Sequence, residues 1–449
     1  MSLRACLPGL VEDGKITPEQ ADDAAKLFDE LHQDFRRQFG DQAAAAMASD
    51  STLAAMQRMA SRKKYLAALT IGARKKIELN LKTFGSGDPA GPMNPRAAVA
   101  LLDRDPRARF SSVEMRRKAI LGDAHRMIDG ILAKHSTNII GQIRDKADLD
   151  HMVREAFGTD TGNANAKEFA GAWLAMAEML RQRFNAAGGN IGKLDNWGLP
   201  QSHDWEKVRA AGFAAWRDFV GPKLDRTKMI DRMTGLPMSD ARLETVLKDV
   251  WETIRTNGRS NMTPGASMGA GMLANRRGDR RVLIFDGADK WMAYNDKFGR
   301  GSAYDAMMGH IEGMARDTAA MEILGPNPAA TLNWVKESLG HEALLDTSPG
   351  SDAVKRAGSA AKHMQELWNE YSGAHAETRN EKMALVFSGY RAWSTATKLG
   401  GAFLSAPADF AYTQTRAAFN GLSQVRMIGK YLKQMAPGAL EDQKLAIRR

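Results

Sequence analysis

Four groups of residues in this sequence have types and spacings that chemistry can use. Gly265-Ala266-Ser267-Met268-Gly269 fits G-x-S-x-G, in which a sharp strand-to-helix turn exposes a nucleophilic serine, and Glu252 upstream is a candidate acid beside it. His310-Ile311-Glu312 has the spacing of the H-x-E half of a zinc-site motif whose other half is C-x-x-C. His203-Asp204 sets an acid–base pair in one loop with Trp197 and Leu199. The fourth group is basic: Arg62, Lys63, Lys64, Arg74, Lys75, Lys76 and Lys82. Its chemistry is salt-dependent attraction to phosphate or another polyanion.

The surrounding residues weaken three of the four. Asn-Met-Thr-Pro precedes the serine loop where a buried strand is needed, and a Gly-rich coil follows, so 256–281 reads as an irregular loop. No Lys-Ser or Lys-Thr follows the glycines, which removes the phosphate-cradle reading. The single cysteine, Cys6, excludes C-x-x-C, a cysteine zinc site and an internal disulfide. No H-E-x-x-H occurs and the histidines are scattered, so neither a metal site nor a cofactor is expected. His310 aligns on its helix with Met314 and Asp317 and is expected to be half-buried. Asp204 suits the cap of a helix starting at Trp205, with His203 bonding loop carbonyls and Leu199 and Trp197 turned inward. No catalytic residue is assigned; a rival enzyme reading, hydrolase or peptidoglycan-cleaving, rests on Ser267 or Glu252.

The basic group survives because charge is unevenly spread. Residues 58–118 carry fifteen Lys or Arg against five acids, which accounts for the whole net charge of +10 and leaves the rest of the chain formally neutral. Such asymmetry points to nucleic acid, anionic lipid or an acidic protein as partner. Tyr65 is the one aromatic among these cations on their helix, so base stacking on single strands is not expected. The residues at 1–9 lack the apolar core of a signal peptide, and the apolar run 399–408 is too short for a bilayer and contains Pro407.

Helical periodicity positions these residues. Thr17-Pro18-Glu19-Gln20 is a capping box with proline at the first helical position. Asp50-Ser51 offers a second cap, for a helix over 52–84 with Met56, Met59, Leu66, Leu69, Ala73, Ile77, Leu81 and Phe84 on one side. Arg62 interrupts that stripe, Lys63 and Arg74 edge it, and Lys64, Lys75 and Lys82 lie opposite. The Gly- and Pro-rich stretch 85–95 is a linker. Helices follow over 96–102, from Ser111 or Ser112, and over 148–157 and 166–187, then a junction at 190–205, a helix from Trp205 to about 220 and a turn at 234–237. Further helices run from Ser239 to 254 and over 286–298, 304–324, 331–339, 352–371 and 377–399, and RVLIF at 281–285 is the one strand candidate. Twenty-five methionines suit gap-filling between packed helices.

The expected class is all-α, an extended multi-helix body of long helices with one short strand region near 281–285. Four regions are expected: 1–84, a helical hairpin with a basic helix; 85–189, a basic linker and helical subdomain; 190–300, the junction with an irregular Gly-rich loop; and 301–449, a helical region continuing beyond Arg449.

The chain resembles the large internal virion proteins of tailed bacteriophages and prophages. The resemblance is carried by the long helical body, by G-L-P-Q-S-H-D-W at 198–205, and by Asp305-Ala306-Met307-Met308-Gly309-His310 with Met321-Glu322-Ile323-Leu324-Gly325-Pro326. It implies a structural protein packaged in the capsid and ejected with the genome, assembling with other virion proteins into an oligomeric conduit across the host envelope. A place in the virion interior, or in the bacterial cytoplasm if not phage-encoded, follows, with membrane contact only after ejection and no small-molecule substrate. A further alternative is the front part of a polyvalent phage polypeptide whose active domain lies beyond Arg449.

Overall fold

The expected capping box is formed. Thr17 Oγ1 accepts from the Gln20 N–H at 3.2 Å, and Gln20 Oε1 accepts from the Thr17 N–H at 2.9 Å. It opens α2 (Pro18–Phe39), which follows α1 (Leu3–Glu12) and turns at Gly40 into α3 (Asp41–Thr83). This is a computed structural model, and it describes residues 3–14, 16–131, 146–194, 198–231, 237–256, 273–276, 283–346, 348 and 351–372.

At 43 residues α3 is about 65 Å long. The cap expected at Asp50-Ser51 lies inside it. Alanines at 43–46, 48, 54 and 55 favour helix on both sides, and Thr52 is buried against the neighbouring packing. Its first half packs on α2 through Phe28, Leu31, Phe35, Ala44 and Ala48. Its second half buries Leu66, Ile77 and Leu81, as the periodicity predicts, while Met59 stays 65% exposed in the span between the two.

The stretch after α3 folds back at once. The Asn94 N–H donates to the Leu81 carbonyl at 3.0 Å, and the Met93 N–H donates to Glu342 Oε2 at 2.7 Å. Asn94 caps α4 (Pro95–Ala100) and Ser112 caps α5 (Val113–Met127). There follow α6 (Lys146–Ala156), α7 (Ala164–Ala186), α8 (Trp205–Val220), α9 (Asp240–Arg255), α10 (Leu273–Arg276), α11 (Ala288–Phe298), α12 (Ala303–Leu324), α13 (Pro328–Leu345) and α14 (Ala353–Ser372). Helix α12 is central, burying residues from Ala306 to Leu324 against α5, α7, α3 and α13. The class is all-α. The expected strand is reduced, among the described residues, to one antiparallel bridge between Phe285 and Leu224.

One compact unit runs from Met1 to Trp368; the second, Asn369–Arg449, is described only to the end of α14. Among the described residues no helix is long and apolar enough to cross a membrane. The serine loop at 265–271, Trp197, most of the turn at 234–237, the helix expected over 377–399 and the apolar run 399–408 lie outside the described residues.

Candidate nucleic-acid interface

The seven cations expected to bind a polyanion divide into two sets. Three serve the fold. Arg62, the interruption in the apolar stripe, donates to the carbonyls of Gly188 at 3.1 Å, Gly189 at 3.3 Å and Ala274 at 3.4 Å. The chain just past α7 therefore finds a donor for carbonyls that leave the helical ladder. Gly188 permits the approach: its φ is +111°, and a Cβ there would meet Pro326, Leu66 and Leu69 at 3.0–3.2 Å. Arg74 lies over the Trp334 ring at 5.2 Å, a contact worth about 0.5–1 kcal/mol when partly exposed. Lys82 pairs with Glu78 one turn earlier at 2.7 Å, and that hydrogen bond is the main cause raising its pKa above the ordinary lysine value.

The other four, Lys63, Lys64, Lys75 and Lys76, are exposed and make no ion pair among the described residues. Lys64 and Lys75 sit on the side of α3 opposite Leu66, Ala73 and Ile77, about 16 Å apart along the axis. Ile71 and Leu79 stand beside them, 56% and 52% exposed. Arg58, also exposed and without an ion pair among the described residues, shares a side with Lys76, five turns on; a spacing of 18 residues was the available signal.

Four cations of the following stretch, Arg96, Arg116, Arg117 and Lys118, lie against acids, while Arg104, Arg107 and Arg109 are exposed and make no ion pair among the described residues. Arg96 pairs with Asp105 at 2.5 Å, and Arg117 with Glu114 at 2.9 Å and Glu312 at 3.0 Å. Arg116 approaches Glu322 at 3.4 Å, and the same carboxylate accepts from Arg183 at 2.6 Å. The Glu312 and Glu322 pairs tie α5, α7 and α12 together, and these two acids from outside the stretch lie against Arg117 and Arg116.

The 190–205 junction is architectural. Asp204 accepts from the N–H groups of Glu206 and Lys207 at 3.1 and 3.2 Å, capping α8. Its own N–H donates to the Phe298 carbonyl at 2.8 Å, and Ser202 Oγ donates to the Arg300 carbonyl at 3.1 Å. His203 meets a tyrosine where a loop carbonyl was expected: Nδ1 is 2.9 Å from Tyr294 Oη, which also accepts from Trp216 Nε1 at 3.3 Å. Burial raises the Tyr294 pKa, with the Trp216 bond opposing. Leu199 is buried as expected, and Gly198 is forced: its φ is +68° and a Cβ would lie 2.4 Å from the Phe157 ring. Nothing in sequence links His203 to Tyr294, ninety-one residues on.

His310 is buried rather than half-buried, edge-on to Trp173 at 6.0 Å, and Glu312 is engaged by Arg117. Both oxygens of Glu252 are held by Arg255 on the same helix, at 2.6 and 2.5 Å. Among the described residues no group of three His, Cys, Asp or Glu side chains is placed to hold a metal. No protein-family model, curated protein or solved structure matches the chain.

Proposed function

We propose that this chain is a structural protein of a tailed-phage or prophage particle, packaged with the genome, ejected with it, and assembling with other virion proteins into a conduit across the host envelope. Within that role the outer face of α3 contacts the packaged duplex. The observation that carries the contact is the set of four exposed lysines, Lys64 and Lys75 on the side away from the core and Lys63 and Lys76 flanking it, that meet no carboxylate among the described residues. Phosphate contact needs charge that is free to release counterions, and these side chains have it. The resemblance carried by 198–205, 305–310 and 321–326, and the Met-rich helical body, support the virion placement.

Two experiments test the two parts. Mass spectrometry of purified particles is expected to find the chain; particles free of it would sink the virion role. Fluorescence anisotropy with a duplex is expected to show binding that weakens steeply with salt; binding that is absent or insensitive to salt would sink the DNA contact.

A further inference from the structure

The charge pattern has a second pole. Residues 1–57 carry ten acids against five Lys or Arg, directly before the cation-rich stretch. On α2 the exposed Glu19, Asp22, Asp23 and Glu30 form one stripe, on the side opposite Ala24, Phe28, Leu31 and Phe35, which face the core. None of these four carboxylates makes an ion pair among the described residues, whereas the neighbouring Asp29 is taken by Arg4.

The stripe cannot serve the lysines of its own chain. Helix α2 packs along the first half of α3 through its apolar side, so its acids point away from α3. Lys64 and Lys75 in turn point away from the body. Because α3 is one unbroken helix, it holds the two faces apart.

We propose that the lysine face of α3 docks the acidic face of α2 from a second copy of this chain. The spacing matches: Glu19 and Glu30 are eleven residues apart on one helix, Lys64 and Lys75 eleven on the other, about 16 Å in each case. Ile71 and Leu79, exposed beside the lysines, supply apolar area to the same contact. Since the two faces differ, the contact is head-to-tail and leaves one of each free at the ends of a growing assembly. Self-association and DNA contact then use the same lysines and compete.

Charge reversal tests this with the full chain. In sedimentation velocity at about 0.1 M salt the wild type is expected to associate as its concentration rises, and to dissociate at about 1 M, where the screening length falls from about 10 to about 3 Å. Lys64→Glu/Lys75→Glu and Glu19→Lys/Glu30→Lys are each expected to stay monomeric alone, and an equimolar mixture to associate again. The mixture guards against misfolding as the cause of the single losses. A monomeric wild type, association indifferent to salt, or reversed variants that still associate alone would overturn the proposal. Glu19→Lys/Glu30→Lys keeps the α3 lysines, so it is expected to retain duplex binding. A wild type that binds duplex yet stays monomeric therefore defeats the pairing alone, and one that associates but binds no duplex defeats the DNA contact alone.

Discussion

The lysines of α3 and the arginines of α5 belong to one basic segment and have opposite fates. Arg116 and Arg117 on α5 face α12, where Glu312 and Glu322 meet them, and Arg183 joins from α7. Lys63, Lys64, Lys75 and Lys76 face outward from α3 and meet no acid among the described residues. The residue types also fit the division. Guanidinium forks suit fixed bidentate pairs, as Arg117 makes with Glu114, while flexible ammonium groups suit a mobile polyanion. A local excess of charge is therefore a poor measure of binding capacity until the carboxylates that reach it are known.

The comparison can be broken most forcefully from the engaged side. Glu322→Ala removes the carboxylate that accepts from Arg183 and lies 3.4 Å from Arg116, and is expected to cost about 1.5–3 kcal/mol in urea unfolding, because a partly buried guanidinium loses its charge-assisted hydrogen bonds. A change under about 0.5 kcal/mol would mean that these pairs are no more than surface ion pairs. Arg62→Ala, which strips three carbonyls of their donor, is expected to cost about 1–2 kcal/mol, while Lys63→Ala on the same helix changes stability by less than about 0.5 kcal/mol.

A smaller effect follows from pH. The Arg181 hydrogen bond, aided by Gln182 and opposed by burial, lowers the pKa of Glu178 to about 2. A lowered folded-state pKa gives stability that is complete above the unfolded value, about 4.3, and is lost as pH falls through that value toward 2. Acid titration of stability is thus expected to be shallower in Glu178→Gln than in the wild type over that window. Identical acid limbs would show that the Arg181 pair adds nothing.

How much of this was legible in sequence depended on range. The box at Thr17–Gln20 and the cap at Asp204 are local devices, and both form where the residues place them. Asp50-Ser51 carries the same cap chemistry yet sits inside α3, since no residue near it breaks the helix and α2 covers that stretch. Arg62 was conspicuous as a charge in an apolar stripe, but its partners lie 126, 127 and 212 residues away. Of the seven cations, Lys82 was the one whose structural role was readable, through Glu78 at i−4. The free four could be separated from the rest only once the fold had shown which acids reach them.

The central claim is that these four lysines supply the polyanion contact. Its most direct measurement is the salt dependence of duplex binding by the wild type and by the variant with Lys63, Lys64, Lys75 and Lys76 all changed to alanine. Four phosphate contacts predict a slope of log K against log salt of about −3.6 for the wild type, falling toward zero in the variant, with unfolding unchanged. A variant that keeps the wild-type slope would place the contact elsewhere and contradict the account.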